Sequence, residues 1–458
     1  MDTRIELNSS HYNGEGGWQN ADGVIYKINE DGTTATARGT SNEITSMDIV
    51  IANEVAIDGN VYPVTHVEGF YTLEAITSLY LPTNIKVIGK QVFQNCNIES
   101  LYIQGTSIEK IWVYAFFNAT IKNVKLNGFR GGAFINSSKT IENLYCDSLE
   151  TLFSINDKTA AKNIYIDGVL VEELVIPEGV TEIPESFVKG CESLKTVVLP
   201  STIKTINDSA FNACKNLSSI NLPEGLEKIE FGAFGKCRSL NKIDLPNSIS
   251  LIARFAFDKT NVEHIVIPEG VQLGDNVFSE CVNLKSVQLP EGLTIIPAYA
   301  FSECLSLTRI NIPSTVKKIG DKALSNCDIA ELHLPEQLEY IGEDAFSFLP
   351  ITEITIPASV VEIGEWAFEG CDKLSKVYSK IEDPGKCDVK TLERPSKKKC
   401  EVKCGYITSK GEPFKYTLGT EVFYKQATLV VPNIKGIVNA YKKKAAWKKF
   451  SAIEVESE

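Results

Sequence analysis

Residues 194–214 read LKTVVLPSTIKTINDSAFNAC, and residues 217–237, LSSINLPEGLEKIEFGAFGKC, repeat the same apolar positions. Val197 and Leu199 alternate with their neighbours in the two-residue period of a strand. Pro200 should end this strand, because proline has no N–H to give to a sheet ladder. The Ala210-Phe211 pair is predicted to fill the interior of one turn. Such a unit cannot bury its own apolar side, so stacked copies must cover it.

The strand-ending proline recurs at intervals of 22 or 23 residues through the middle of the chain. A short constant period of this kind is typical of a solenoid, in which each turn contributes one strand to a parallel sheet. Neighbouring strands would then lie about 4.8 Å apart. The recurring prolines are Pro177, Pro200, Pro223, Pro246, Pro268, Pro290, Pro313, Pro335 and Pro357.

The repeat resembles the leucine-rich repeat, and most closely the BspA-like class of bacterial surface proteins. The runs that carry this resemblance are LPSTIKTINDSAF, LPEGLEKIEFGAF, LPEGLTIIPAYAF and IPASVVEIGEWAF, within a region of about residues 76–378. The resemblance implies a right-handed leucine-rich repeat solenoid. Its parallel β-sheet would form one face, and its convex side would be irregular or made of short strands.

Three regions are expected along the chain. Residues 1–65 hold two hairpin patterns, around Asp31-Gly32 and Asp58-Gly59, and should form a small β-cap. Residues 66–378 should form the solenoid, with an uncertain register at 129–161 and an inserted hairpin at Asp167-Gly168. Residues 379–458 should form an α/β cap with a Lys-rich polar excursion, a strand at 427–432 and a terminal helix at about 435–449.

The twelve cysteines do not form an obvious disulfide framework. Eight of them recur at the repeat period, just after the interior-filling residues of each turn, such as Ala210-Phe211, which we call the plug. A thiol at this position acts as a small buried hydrophobe. We therefore expect core thiols. Cys387, Cys400 and Cys404 lie outside the repeats, and the sequence leaves open whether two of them pair. The eight periodic cysteines are Cys96, Cys191, Cys214, Cys237, Cys281, Cys304, Cys327 and Cys371.

The net charge of −13 disfavours nucleic-acid binding, although residues 376–458 carry 18 Lys and Arg against 10 Asp and Glu. That basic end is either a solvated surface or a contact for an acidic polysaccharide or protein. The sequence shows neither a signal peptide nor a run long enough to span a bilayer. The resemblance nevertheless implies a secreted or outer-membrane surface protein, whose leader and any lipid anchor are missing from this sequence.

Catalysis finds no support in the sequence, which has four histidines and no nucleophile elbow, Walker A loop or His-Glu-x-x-His motif. A zinc site near Cys400 and Cys404 is not expected, because the spacing is wrong and no histidine is near. We therefore predict a protein that is not an enzyme and that uses no cofactor or metal. We also expect a monomer.

Two sets of outward strand residues are candidate ligand-binding positions. The first is a column of four tyrosines and a lysine that should stack on successive strands, and aromatics of this kind favour recognition. The alternative is that they simply suit a strand surface. The second set mixes both charges, and for it a solvated sheet is the stronger alternative. The residues are Tyr80, Tyr102, Lys125, Tyr145 and Tyr165 in the first set, and Lys242, Asp244, His264, Gln288, Arg309, Asn311 and His333 in the second.

A long exposed sheet face without a pocket predicts binding of an extracellular protein or polysaccharide through many weak contacts. The resemblance further implies adhesion to host matrix proteins or to other bacteria. Two alternatives stay open at this point, namely a glycan-binding component of a nutrient-uptake system and a purely structural spacer of the cell surface.

Overall fold

The structure, a computed structural model, describes residues 4–13, 17–39, 47–70, 73, 75–105, 108–112, 114–129, 141–155, 160–381, 388–389, 428–431 and 452–455. Two compact units are present, Met1–Leu240 (unit 1) and Asn241–Glu458 (unit 2). Each unit is a β-solenoid whose repeated turns contribute parallel strands to sheets. The predicted leucine-rich repeat solenoid is therefore confirmed.

Among its described residues, unit 1 contains one short α-helix, α1, Leu149–Ser154, and one 3-10 turn, Ser9–His11. Its strands are β1 Arg4–Leu7, β2 Trp18–Gln19, β3 Ile25–Ile28, β4 Ala35–Arg38, β5 Asp48–Val50, β6 Glu54–Ile57, β7 Asn60–Glu68, β8 Ile76–Leu81, β9 Val87–Ile88, β10 Asn97–Gln104, β11 Lys110–Ile111, β12 Thr120–Asn127, β13 Ile141–Cys146, β14 Ala161–Ile166, β15 Val169–Leu170, β16 Glu173–Val175, β17 Glu182–Ile183, β18 Thr196–Val198, β19 Thr205–Ile206, β20 Ser219–Ile220 and β21 Lys228–Ile229.

Unit 2 continues with short strands. They are β22 Leu251–Ile252, β23 His264–Val266, β24 Gln272–Leu273, β25 Ser286–Gln288, β26 Ile295–Ile296, β27 Arg309–Ile310, β28 Lys318–Ile319, β29 Tyr340–Ile341, β30 Glu353–Ile356, β31 Glu362–Ile363, β32 Lys376–Ser379, β33 Asp388–Val389, β34 Thr428–Val431 and β35 Ala452–Val455.

In turns whose face strand is followed by the repeat proline, that proline begins a tight turn. In the unit quoted first, the carbonyl of Pro200 accepts a hydrogen bond from Ile203 N at 3.4 Å. The same bond joins Pro223 to Leu226 at 2.9 Å in the following turn. The chain then enters the short second strand of the turn, β19 or β21, which lies on the predicted convex side. The proline thus fixes the direction change that the period requires.

The plug that closes each turn uses left-handed backbone at two positions four residues apart. Ser209 and Ala213 have φ of 56° and 60° on either side of the buried Phe211. Because of this alternation, the N–H groups of all three residues donate to carbonyls of the next turn, at 2.7, 2.9 and 2.7 Å. The plug therefore links neighbouring turns by a backbone ladder of its own, besides filling the interior.

The core of each unit contains stacked phenylalanines from successive plugs. In unit 1 the Phe211 and Phe234 rings lie 5.4 Å apart and 6° from parallel. In unit 2 the Phe278 ring stacks on Phe257 at 5.4 Å and on Phe301 at 5.9 Å. All five are fully buried. The repeat period thus places one large apolar side chain directly above the next, as the sequence predicted.

The first face of unit 1 is a seven-stranded sheet in the order β15-β14-β13-β12-β10-β8-β5. Its last pair, β14 and β15, is an antiparallel hairpin turning at Asp167 and Gly168, with φ of 47° and 74°. This is the hairpin that the sequence predicted there. The next face strand, β16, belongs to a separate sheet with β18 and β20. The hairpin therefore ends the first sheet.

The two N-terminal hairpins are present, β3 with β4 and β6 with β7. Beyond its hairpin, β7 pairs in parallel with β9, and β5 pairs with the first strand of the face, β8. The series of face strands that starts at β8 and the series of short second strands that starts at β9 thus both begin on N-terminal strands. This is the end of the solenoid where a cap is needed. The expected boundary after residue 65 stays a prediction, since β7 runs across it.

The C-terminal expectations are described only in part. The predicted strand near residue 430 is β34, which pairs in parallel with β32. The predicted terminal helix at 435–449 and most of the Lys-rich excursion, with Cys387, Cys400 and Cys404, lie outside the described residues.

Candidate binding face

The first predicted column lies in register across the seven-stranded sheet. Tyr80 pairs with Tyr102, Tyr102 with Lys125, Lys125 with Tyr145, and Tyr145 with Tyr165. The sheet includes β13, so the register of the uncertain stretch is the one that the tyrosine column predicted. All five side chains are half-buried. We call these five residues the tyrosine column.

The tyrosines of the column form two stacked pairs. The ring centroids of Tyr80 and Tyr102 are 4.1 Å apart with the planes 8° from parallel. Those of Tyr145 and Tyr165 are 4.4 Å apart at 15°. Such pairs contribute about 0.5–1.5 kcal/mol beyond the area that they bury. Each pair is therefore a rigid group of rings that is already ordered before any ligand arrives.

Lys125 lies between the two pairs. Its Nζ is 4.8 Å from the ring centroid of Tyr102 and 5.5 Å from that of Tyr145. It also donates a hydrogen bond to the Tyr102 hydroxyl at 3.3 Å. The ammonium group is attracted by the negative faces of both rings, which holds a positive charge at the centre of the column.

The tyrosine hydroxyls at one end of the column interact with each other and with Lys125. A hydrogen bond to Tyr102, followed by burial, raises the pKa of Tyr80. For Tyr102, burial acts to raise the pKa, but hydrogen bonds with Lys125 and Tyr80 outweigh it and the pKa is lowered. Because an ammonium group can only donate, the Tyr102 hydroxyl is the acceptor in its hydrogen bond with Lys125.

A column of polar side chains runs beside the tyrosines. Asn163 Nδ2 donates to Asn143 Oδ1 at 3.0 Å, and Asn143 Nδ2 donates to Asn123 Oδ1 at 2.9 Å. Asn123 Nδ2 in turn reaches Ser100 Oγ at 3.3 Å. Because every bond runs the same way along the sheet, the amides fix one another and the neighbouring strands. This ladder supports the tyrosine column on one side.

Apolar side chains continue the tyrosine column toward the end of the sheet, and the sequence did not single them out as a site. Leu170 pairs with Tyr165 across the hairpin and is 37% exposed, whereas Val169, which pairs with Ile166 and so points to the other face, is 70% exposed. In the following sheet Val175 pairs with Val198, with exposures of 56% and 38%. The signal for Leu170 and Val175 was the VLVEELVI run itself, and Val198 holds the corresponding outward position in the repeat quoted first.

The second predicted set lies in unit 2 and is less organised. Lys242 and Asp244 form an exposed ion pair of 2.8 Å, outside any strand. His264 lies on β23, where its Nδ1 is 2.7 Å from the hydroxyl of Ser286, which in turn pairs with Arg309 on β27. Ion pairs as exposed as the first contribute little.

The remaining members of the second set are also exposed. Gln288 lies on β25, whereas Asn311 and His333 lie outside the strands. The structure therefore gathers the first predicted set into one ordered group but leaves the second spread along the surface of unit 2.

The cysteines at the plugs are core residues, as predicted. Nine cysteines in the described ranges are free and buried. Several donate through Sγ to the carbonyl of the preceding plug, as Cys237 does to Phe211 at 3.1 Å. Burial raises the pKa of the Cys237 thiol to about 12. A thiol held in the protonated form is a poor nucleophile and a poor metal ligand.

The potential metal-binding side chains are dispersed over the described part of the chain. No group of three or more His, Cys, Asp or Glu side chains there is placed to hold a metal ion. Nor does any helix among the described residues have the length and apolar character needed to cross a membrane.

The repeated turns match the family described as the BspA type leucine rich repeat region, in six copies. The matches cover residues 65–167, 158–282 and 271–383, which is more than half of the chain. The protein therefore belongs to the BspA-type leucine-rich repeat family. Members of this family are typically bacterial cell-surface or secreted proteins that bind other molecules and are typically not enzymes.

Solved structures of bacterial leucine-rich repeat proteins are similar to this chain. A leucine-rich repeat protein from Bacteroides ovatus is 25% identical, with a TM-score of 0.49, over 82% of this chain and 99% of that one. A leucine rich cell surface protein from Faecalibacterium prausnitzii is 21% identical, with a TM-score of 0.42, over 79% and 94%. No curated protein matches the chain significantly.

Proposed function

We propose that this chain is a cell-surface or secreted binding and adhesion protein that holds host or bacterial macromolecules on the first sheet face of unit 1. The observation that carries the proposal is the tyrosine column, in which Lys125 lies between two stacked pairs of rings. Tyrosine suits such a role because it offers a large contact area with few rotatable bonds to immobilise.

The architecture supports binding by many weak contacts. Successive strands repeat the same outward positions about 4.8 Å apart, so the tyrosine column extends over about 19 Å along the sheet. Contacts spread over such a length are individually weak, and presentation of many copies on a cell surface raises the overall strength. Family membership supports the same kind of role.

The test replaces all four tyrosines of the column with serine, which we call the fourfold serine variant. Wild type and variant are applied to one panel of immobilised matrix proteins and to a glycan array. A matched control carries Tyr114→Ser and Tyr299→Ser, since these tyrosines are 49% and 36% exposed and lie in plug turns, away from the face. Circular dichroism checks that every variant is folded.

We expect the wild type and the control to bind at least one partner that the fourfold serine variant no longer binds. Binding that survives the fourfold replacement would place the site elsewhere and contradict the proposal. Absence of wild-type binding on both panels would also contradict the proposal and would favour a structural spacer.

A further inference from the structure

The stacking of the tyrosines decides which part of each ring a ligand can reach. Because Tyr80 lies 4.1 Å from Tyr102 and nearly parallel to it, the faces between them are closed. The other face of Tyr102 is occupied by the ammonium group of Lys125. The column therefore presents ring edges and hydroxyls to the outside.

The second stacked pair is closed in the same way. Tyr145 and Tyr165 cover each other at 4.4 Å, and Lys125 approaches the other face of Tyr145. The strand positions beyond the two ends of the column carry Val50 and Leu170. A sugar ring stacks on an aromatic side chain by laying its C–H groups on an open ring face. This column has neighbours on those faces, so it is poorly suited to a stacked glycan.

Lys125 is the one charged residue between Val50 and Leu170 in the register of the column. Within the described ranges it forms no ion pair, whereas Lys122 on the same strand pairs with Glu99 at 3.4 Å. The Lys125 ammonium is thus a fixed positive charge without an acidic partner among the described residues, and a carboxylate is the group that complements it.

The apolar residues at the end of the sheet indicate what surrounds that carboxylate. Leu170 pairs with Tyr165 and is 37% exposed, and Val175 on β16, the next face strand in the chain, is 56% exposed. A ligand that follows the face from Lys125 toward β16 would meet aromatic edges and then aliphatic side chains. Such a sequence of contacts suits a polypeptide better than a polysaccharide.

Building on the proposed function, we propose that the ligand of the tyrosine column is a polypeptide segment that places an Asp or Glu carboxylate against Lys125 and apolar side chains toward Val175. An extended segment of about six residues, at about 3.3 Å each, is as long as the column. The segment's carboxylate replaces water at the ammonium, and its apolar residues cover Leu170 and Val175.

The test uses the intact protein and a displayed library of random 12-residue peptides. Selection is run in parallel on the wild type, on Lys125→Met and on the fourfold serine variant. A matched control is Lys122→Met, which removes a lysine of the same strand that already has a carboxylate partner. The glycan array is run with the same four proteins.

On the wild type and on Lys122→Met we expect selected peptides to be enriched in Asp or Glu beside apolar residues. On Lys125→Met the acidic enrichment should vanish while the apolar enrichment stays. For a single selected peptide, Lys125→Met should weaken binding about tenfold, as loss of one charge-assisted hydrogen bond predicts. Replacing the peptide's own Asp or Glu by its amide should weaken binding by about the same factor. The two changes together should weaken binding little more than either change alone.

The possible outcomes separate the two proposals. Peptides without acidic enrichment, no enriched peptides at all, or a glycan whose binding needs the four tyrosines but not Lys125, would overturn the polypeptide inference. The last of these results would leave the proposed function standing. Binding of every ligand by the fourfold serine variant as well as by the wild type would overturn the proposed function itself.

Discussion

Gly364 lies directly against the preceding turn: a Cβ on Gly364 would stand 2.4 Å from the backbone nitrogen of Glu343. Gly342, one turn earlier, would place a Cβ 2.5 Å from the nitrogen of Asp321. Backbone atoms cannot move aside as the end of a side chain can. These glycines therefore set how closely successive turns of unit 2 approach.

Gly364→Ala should lower the free energy of unfolding of the protein by at least about 2 kcal/mol, because the added methyl forces two turns apart. Urea denaturation followed by circular dichroism measures this. Gly292→Ala is the matched control, since its Cβ would meet only Glu269 Oε2 at 3.4 Å. Equal stability of the two variants would contradict the proposed packing.

Glu303→Gln should stabilise the protein at neutral pH. Burial is the largest influence and raises the pKa of the Glu303 carboxyl; the hydrogen bond that Asn326 donates to it at 2.6 Å opposes this, and repulsion from Glu280 adds to it. A raised pKa in the folded state means that the protonated form fits better, so stability is lost as the pH rises through that pKa. The glutamine stays neutral and avoids this loss.

Unfolding by urea at several pH values tests this expectation. The difference between Glu303→Gln and wild type should be largest near pH 7 and should shrink on acidification toward pH values around 4. The exposed Glu291→Gln serves as the control and should give no such trend. A wild type that is more stable than Glu303→Gln at pH 7 would show that the ionised carboxylate is favoured instead.

The left-handed positions of the plug predict two opposite effects in unit 1. Gly232 has φ of 60°, and alanine there should lower the free energy of unfolding by about 1 kcal/mol. Ala213 also has φ of 60°, and glycine there should raise the free energy of unfolding, by less than 1 kcal/mol because glycine also frees the unfolded chain. Urea denaturation checks both, and changes of the same sign would refute the account.

The buried thiols should resist modification in the folded protein. Cys214 and Cys237 are fully buried, and burial raises the pKa of both thiols. A thiol reagent applied at pH 8, followed by peptide mass spectrometry, should label neither until urea is added. Glu224→Cys supplies an exposed thiol as the positive control. Labelling of Cys237 at the rate of that control would contradict the burial.

The sequence predicted which residues share a face better than it predicted how they touch. The period fixed that Tyr102 and Lys125 follow one another on neighbouring strands, and their pairing is confirmed. A strand position sets only the direction of Cβ, however. The parallel stacking of Tyr80 on Tyr102 depends on side-chain torsions and on Lys125 behind them, and no spacing encodes it.

Two further features of the structure were not predicted from the sequence. The left-handed backbone at Ser209 and Ala213 was not predicted, because neither residue is glycine and the contacts between turns impose the conformation. Helix α1 was also missed, although Ser148 accepts a hydrogen bond from Thr151 N at 3.1 Å as an N-cap. The SLET run was the available signal. At six residues, the helix is too short to show a periodic pattern.

The hairpin of β14 and β15 has a consequence for how this kind of protein can change in length. Because β15 occupies the edge of β14, no described strand after residue 170 joins the sheet that carries the tyrosines. Gene duplications or deletions that add or remove turns downstream would leave the strand partners of β8, β10, β12 and β13 untouched, although β14 also accepts backbone hydrogen bonds from Val171, Glu192 and Ser193. The chain can therefore be lengthened or shortened in evolution without redesigning the surface that meets its ligand.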